Sequence, residues 1–165
     1  MRILGIDPGL ARVGFGLLDL DEQTDRFGPS HWGVISTSKD KPDGARLQEI
    51  RDDLTAVIQR LEPQVVALER LFYFRNATTL VPVAQSRGII LMILHEAGLP
   101  VHEYTPMQVK QSITGYGKSQ KADIQELLVT LLDLPQKPTP DDAADGLALA
   151  YTYYLHEARL SVSLS

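Results

Sequence analysis

Two apolar segments of the sequence each end in an acidic residue, Asp7 in the first and Glu69 in the second. If these segments are neighbouring parallel strands, both carboxylates emerge at the sheet edge where open α/β sheets usually hold their functional sites. Each acid also has a simpler explanation. Asp7-Pro8-Gly9 is typical of a plain turn, and Glu69 has Arg70 and Arg75 nearby as surface ion-pair partners.

A second pair of acids, Asp142 and Asp145, lies in a segment rich in alanine and leucine. Their spacing of three predicts that they occupy one face of a helix. An ionised Asp145 among apolar neighbours is unfavourable without a partner, and no Lys or Arg occurs between Lys137 and Arg159. Asp141, by contrast, is explained by the helix dipole, which favours acids in a first turn.

Four acids on one apolar frame repel one another unless a cation lies between them. Hard divalent cations such as Mg²⁺ prefer oxygen ligands. Two of them about 3.5–4 Å apart can stabilise the attacking and leaving oxygens of an in-line phosphoryl transfer, for which water is a sufficient nucleophile. The pattern therefore indicates metal-dependent phosphoryl transfer.

The elements that must position these acids are predicted from hydrophobic patterning and from Gly and Pro punctuation. Strands are predicted at 3–6, 14–20, 31–36, 65–68 and 101–104, with a polar connection over 21–30. Helices are predicted at 44–61, within 76–97, and at 106–113, 119–132 and 140–158. This order predicts an α/β fold with a five-stranded mixed sheet flanked by helices, in which the strand at 65–68 is buried on both faces and parallel to its partner.

The composition excludes several classes of protein. The 165 residues include no cysteine, which excludes disulfides, thiolate metal sites and cysteine catalysis, and the hydrophobic fraction of 44% argues against disorder. The longest apolar run is too short to span a bilayer. We expect a cytoplasmic protein with no membrane association, one domain over 1–158 and a tail over 159–165.

Four segments, in chain order, resemble the RuvC family of Holliday-junction resolvases. They are Gly5-Ile6-Asp7-Pro8-Gly9 with Gly14-Phe15-Gly16, then Ala67-Leu68-Glu69 with Leu71-Phe72, then Gln108-Val109-Lys110-Gln111, and finally Asp142-Ala143-Ala144-Asp145. The resemblance runs from residue 3 to about residue 156. It implies a ribonuclease-H-like fold and a homodimeric endonuclease that nicks two opposed strands of a four-way DNA junction, alongside the RuvA–RuvB branch-migration complex.

The resemblance also implies roles for individual residues. Asp7, Glu69, Asp142 and Asp145 correspond to the family's catalytic, metal-binding acids, which would hold two Mg²⁺ ions per subunit with Mn²⁺ as an alternative. Lys121 corresponds to a basic residue that acts in catalysis. The predicted DNA-binding residues are Phe72, Arg75, Lys110, Lys118 and Lys121.

The residues themselves are compatible with a DNA partner. Phe72 belongs to an aromatic cluster with Arg75 that suits base stacking, although such rings also fill cores. Lys118 ends a glycine-rich loop, where cations contact phosphates without reading sequence. The formal net charge of −5 is uneven, since residues 69–121 carry +3 and the remainder −8. Acidity therefore does not exclude DNA, and we expect binding that depends on salt and divalent ions.

Two positions depart from the family pattern. Gly146 replaces an expected alanine, which should loosen its helix by about 0.5–1 kcal/mol, and Pro82 should kink the helix within 76–97 or delay its start. That helix is apolar around much of its girth, which fits either a partner subunit or an internal position.

Two other functions remain open on the sequence. One is a nucleotide phosphotransferase, because Gly5-Ile6-Asp7-Pro8-Gly9 also resembles the phosphate loop of the actin and sugar-kinase superfamily. Those enzymes need a second lobe and a second phosphate loop, and the sequence has neither. The other is a non-catalytic junction-binding scaffold, which would have no use for Asp145 in apolar surroundings.

Overall fold

The structure, a computed structural model, describes residues 1–71, 77–116 and 120–159, with the side chains of 77–79 also outside the description. Its strands are β1 (Arg2–Asp7), β2 (Arg12–Asp21), β3 (Arg26–Phe27), β4 (His31–Ser36), β5 (Val65–Glu69) and β6 (Val101–Tyr104). Its helices are α1 (Asp43–Leu61), α2 (Ala77–Glu96), α3 (Pro106–Thr114), α4 (Lys121–Leu131) and α5 (Asp141–Tyr153), the last extended by a wider π-type turn over Tyr154–Ala158. None of these helices is both long enough and apolar enough to cross a lipid bilayer.

The strands form one mixed sheet in the order β3-β2-β1-β5-β6, with β4 also paired to β2. β1 pairs antiparallel with β2 and parallel with β5, and β5 pairs parallel with β6, as the predicted crossovers require. The predicted count of five strands is wrong, because the connection over 21–30 contains β3. This strand makes only two residue pairs with β2, which is too short a pairing to produce a periodic signal.

The sheet separates two hydrophobic cores. Alternate side chains of β5 point into opposite cores. Val65 and Ala67 pack with α3, α4 and α5, whereas Val66 and Leu68 pack with α1 and α2. All four are buried. The prediction that this strand is buried on both faces is therefore confirmed, and its terminal acid is held at the sheet edge by packing on both sides.

Helix α5 lies unusually close to β1 and β2 because glycines face each other across the contact. A Cβ on Gly146 would lie 2.5 Å from the backbone carbon of Phe15, and one on Gly5 would lie 1.9 Å from the carbonyl oxygen of Gly146. Gly146 therefore does more than lower the stability of its helix, because the absence of a side chain allows the backbones of α5 and β2 to come into contact. The close approach brings the acids of α5 to the end of β1.

We expect Gly5→Ala to lower the free energy of unfolding by about 3 kcal/mol, because its methyl group would meet helix backbone rather than a movable side chain. Urea denaturation would measure the change. Gly44→Ala is the matched control, because Gly44 is helical and a methyl group added there would have nothing within 4 Å. A loss below about 1 kcal/mol for Gly5→Ala would contradict the proposed close packing.

Candidate active site

Asp7 and Glu69 lie side by side at one edge of the sheet. The parallel register pairs Ile6 with Leu68, and each of these residues is followed directly by its acid. Asp145, in the second turn of α5, faces the same cavity, which has a volume of about 250 Å³. The prediction that the two strand-end acids emerge together at one edge is therefore borne out by the geometry, and Asp145 joins them.

Two lysines also line this cavity, Lys110 from α3 and Lys121 from α4. The Lys121 ammonium lies 2.6 Å from Oδ2 of Asp145. Lys121 is the first residue of α4, which starts at a capping box between Gln120 and Asp123. The cation that Asp145 lacks in its own segment is therefore supplied by a residue 24 positions earlier.

The three acids of this cavity have pKa values above their ordinary range. Burial and the neighbouring charges of Glu69 and Asp145 raise the pKa of Asp7 to about 9, although Lys121 opposes the shift. Burial is also the main cause of the raised pKa values of Glu69 and Asp145. Asp7 and Glu69 are hydrogen-bonded to each other, which requires a proton between them. The cavity thus disfavours the charged form of its carboxylates, a cost that a bound cation would offset.

The pKa of Lys121 responds to the same charges. Burial lowers it, but the hydrogen bond and charge of Asp145, together with the charge of Asp7, outweigh that effect and raise it. Lys121 therefore stays an ammonium ion over the physiological pH range, with its side chain 60% exposed. A cation that is both fixed to an acid and open to solvent can contact an incoming anion.

We expect the stability of the metal-free protein to fall as pH rises from about 4 to 9. The pKa of Asp7 is 3.8 when unperturbed and about 9 in the folded protein. In that range the folded state therefore binds more protons than the unfolded state. The stabilisation that protonated Asp7 provides is complete below pH 3.8 and is lost as the pH rises through about 9. Asp7→Asn should flatten the profile and add on the order of 2 kcal/mol at pH 8.

Chemical denaturation in a chelator at several pH values would measure this slope. Asp53→Asn, at an exposed position of α1, is the control and should leave the slope unchanged. A wild-type stability that rises between pH 5 and 8 would exclude the proposed burial of uncompensated carboxylates.

Asp142 does not face the cavity of the other three acids. Its carboxylate lies 3.4 Å from Nη1 of Arg12, and Asp142 lines a separate cavity against the β1–β2 turn. Its backbone is pressed onto β2, where a Cβ at Gly14 would lie 1.8 Å from its carbonyl oxygen. The structure therefore brings Asp7, Glu69 and Asp145 together and leaves Asp142 one turn away.

The whole chain resembles proteins of one family. A family model described as crossover junction endodeoxyribonuclease RuvC matches residues 3–153. This chain belongs to the RuvC family. A RuvC of Brevibacillus brevis is 44% identical over 163 residues, which are 99% of this chain and 97% of that protein. A RuvC of Thermomicrobium roseum is 46% identical over 154 residues, 93% of each chain. The resemblance identified in the sequence is confirmed.

Solved structures agree with the family. Thermus thermophilus RuvC in complex with a Holliday junction substrate superimposes with a TM-score of 0.86 at 33% identity, over 98% of this chain and 97% of that one. The yeast mitochondrial Holliday junction resolvase is only 12% identical and matches in fold, with a TM-score of 0.66 over 98% of this chain and 82% of that one. The fold is therefore ribonuclease-H-like, as the resemblance to the RuvC family implied.

The donor set of the cavity fits the metal dependence that is general for RuvC nucleases. Carboxylate oxygens are the ligands that hard divalent cations prefer, and the Lys121 ammonium already lies among them as a stand-in cation. In the part of the chain that the structure describes, however, no three acidic or histidine side chains converge closely enough to hold an ion. Asp7 and Glu69 are bonded to each other and Asp145 to Lys121, so the side chains must turn to bind a cation.

The other predicted site residues divide into described and undescribed positions. Lys110 lines the cavity, whereas Phe72, Arg75 and Lys118 lie outside the described residues. Among the described residues, Glu69 forms no salt bridge, so the alternative pairing with Arg70 is not observed. Sequence reasoning missed Arg12, because an arginine at the start of a strand gives no signal of a partner 130 positions later.

Proposed function

We propose that Asp7, Glu69, Asp142 and Asp145 together hold two Mg²⁺ ions, with Mn²⁺ as an alternative, at the phosphodiester bond that is cut. Membership of the RuvC family makes this chain a Holliday-junction-resolving endonuclease. The observation that carries the proposed site is the group of three partly buried carboxylates with raised pKa values around one cavity. A scaffold that only bound DNA would have no use for that repulsion.

The residues of the cavity would have different roles in hydrolysis. Bound divalent cations would neutralise the scissile phosphate and lower the pKa of the attacking water. Asp7 and Glu69 would hold these cations from the ends of β1 and β5, and Asp145 would do so from α5. Lys121, fixed by Asp145 and open to solvent, is positioned to neutralise a phosphate oxygen, and Lys110 lines the same cavity as a second cation.

DNA contacts outside the cavity follow from the predicted residues. Phe72 would stack on an unpaired base at the junction centre, a contact worth about 1–3 kcal/mol. Arg75 and Lys118 would contact backbone phosphates, which adds affinity without sequence selectivity. With Lys110 and Lys121, they would add to the phosphate contacts of the proposed DNA site.

We expect the active form to be a homodimer built on α2. The helix begins at Ala77, five residues before Pro82, and therefore continues through the proline. Its outer face exposes 56% of Val81 and 43% of Met92, with open space around Gly88. Apolar and small residues on one exposed helix face suit a two-fold contact, and two opposed cuts in a junction require two active sites.

The remaining partners and the location are also proposals. Within the RuvC family, action alongside the RuvA–RuvB branch-migration complex is the expectation for this chain. The relatives cited above are bacterial proteins, and bacterial DNA lies in the cytoplasm, where we propose that this protein acts.

A junction-cleavage assay tests this function. With Mg²⁺, we expect paired nicks at matching positions in two opposed strands of a synthetic four-way junction, and no more than about one hundredth of that rate on a linear duplex of the same sequence. Chelation should abolish the nicks because the carboxylates would lose their cations. Equal cleavage of the linear duplex, or cleavage that persists in chelator, would contradict the proposal.

A further inference from the structure

A second cavity, of about 450 Å³, lies against the β1–β2 turn and shares no described lining residue with the catalytic cavity. Its charged side chains are Arg12 at the start of β2, Arg46 in the first turns of α1, and Asp142 in the first turn of α5. Asp142 precedes Asp145 by three residues, so the two cavities are separated by a single helical turn. The second cavity therefore lies within reach of a DNA strand bound at the catalytic one.

The two arginines of this cavity are held very differently. Arg46 is only 12% exposed, donates from Nε to the hydroxyl of Thr37 at 3.0 Å, and lies 3.5 Å from Asp43. Arg12 is 59% exposed, and its one described ion-pair partner is Asp142 at 3.4 Å. An exposed pair at that distance contributes little to stability. The cavity thus has one fixed cation and one that is easily released.

We infer that Arg12 changes its partner from Asp142 to a DNA phosphate when a junction binds. This exchange releases Asp142 to join the other acids of the catalytic cavity. In the free protein Arg12 holds the Asp142 carboxylate in the second cavity. When a junction is bound, Arg12 binds the backbone phosphate next to the scissile one, with Arg46 behind it, and Asp142 turns to join Asp145. This inference rests on the proposed function of the catalytic cavity and adds a DNA contact and an order of events to it.

The geometry restricts the movement to side chains. The backbone of Asp142 cannot approach β2 any further, because a methyl group at Gly14 would already overlap its carbonyl oxygen. Rotation of the 30% exposed carboxylate is open, since it needs only the loss of the Arg12 contact. A phosphate is a stronger competitor for an arginine than one carboxylate, because the planar guanidinium can bind two of its oxygens at once.

The exchange of Arg12 between Asp142 and a phosphate also explains why the four acids do not converge in the free chain. With Asp142 held by Arg12, fewer carboxylates face one another in the catalytic cavity, which limits their repulsion before the cations and DNA arrive. A phosphate that removes Arg12 then frees the fourth acid when cations are needed.

The first test measures junction affinity in an Asp7→Asn background, which blocks cleavage. We expect Arg12→Ala to weaken binding 5- to 50-fold and to reduce the slope of log affinity against log salt by about one, as for loss of one phosphate contact. Arg26→Ala is the matched control, because Arg26 is exposed and pairs with Asp21 at the far end of β2, about 30 Å away. Changes within twofold for both variants would overturn the inference.

The second test measures Mg²⁺ binding without DNA, by thermal stability of chains that retain Asp7. Arg12→Ala should lower the Mg²⁺ concentration at half-maximal stabilisation at least threefold, because Asp142 no longer has a competing partner, and Arg12→Lys should give a smaller change. The double variant Arg12→Ala with Asp142→Asn should lose the gain. An unchanged midpoint in Arg12→Ala would overturn the exchange even if DNA binding fell.

These results separate the inference from the proposed function. If the proposed function fails, the wild-type chain shows neither Mg²⁺-dependent stabilisation nor Mg²⁺-dependent junction cleavage. If only the exchange fails, both remain, and Arg12→Ala has the same Mg²⁺ midpoint as the wild-type chain.

Discussion

Asp7→Asn is expected to reduce junction cleavage at least about 1,000-fold while junction affinity stays within a few-fold of wild type. A loss of that size corresponds to about 4 kcal/mol of transition-state stabilisation. Asp7 is the most strongly perturbed acid of the cavity, and its raised pKa reflects burial beside Glu69 and Asp145. Asparagine keeps the shape but removes the charge that would attract the cations, so the chemistry should fail without loss of DNA binding.

Single-turnover cleavage and gel-shift binding on the same four-way junction would separate the two effects. Asp53→Asn removes an exposed carboxylate of α1 and should cleave like wild type. Because Asp7→Asn should also raise the stability of the metal-free protein, unfolding cannot explain its inactivity. Comparable cleavage by Asp7→Asn and wild type would refute the assignment of this cavity as the active site.

Lys121→Ala has the second largest expected effect, a loss of about 100-fold in the single-turnover rate. Its ammonium lies 2.6 Å from Asp145 and also interacts with Asp7. It is the described cation fixed among the buried acids, and preorganised charge facing a reacting phosphate typically contributes 100- to 1,000-fold. We expect the loss in the rate constant at saturating protein rather than in junction affinity, because one exposed lysine adds little to binding.

Lys137→Ala is the control for that variant. Lys137 is an exposed lysine in the connection between α4 and α5, so its removal lowers net charge equally and should leave the rate within twofold. Lys121→Arg should recover part of the rate, since it restores the charge with a different shape. A rate within threefold of wild type for Lys121→Ala would show that the lysine only balances Asp145 in the free protein.

Much of the frame of the site was predictable from local patterns. The continuous apolar run at 65–68 required burial on both faces, and the crossover through α1 required a parallel partner. Parallel neighbours end at the same edge, so the meeting of Asp7 and Glu69 follows from the order of the elements alone. The short strand β3 was not predictable, because its Phe27 is held by the rings of Tyr151 and Tyr154 far along the chain.

Sequence patterns were sufficient for the family, the mixed sheet and the acids that must lie near its edge, because periodicity and chain order specify which face and which edge a residue occupies. The partners of those acids, by contrast, are determined by the tertiary structure. Asp145 is paired with Lys121 and Asp142 with Arg12, although both acids lie on the same helix. The distance of α5 from the sheet is set by Gly5 and Gly146. Such partners depend on how a helix docks across the sheet, and docking is a property of surfaces from distant parts of the chain rather than of any local pattern.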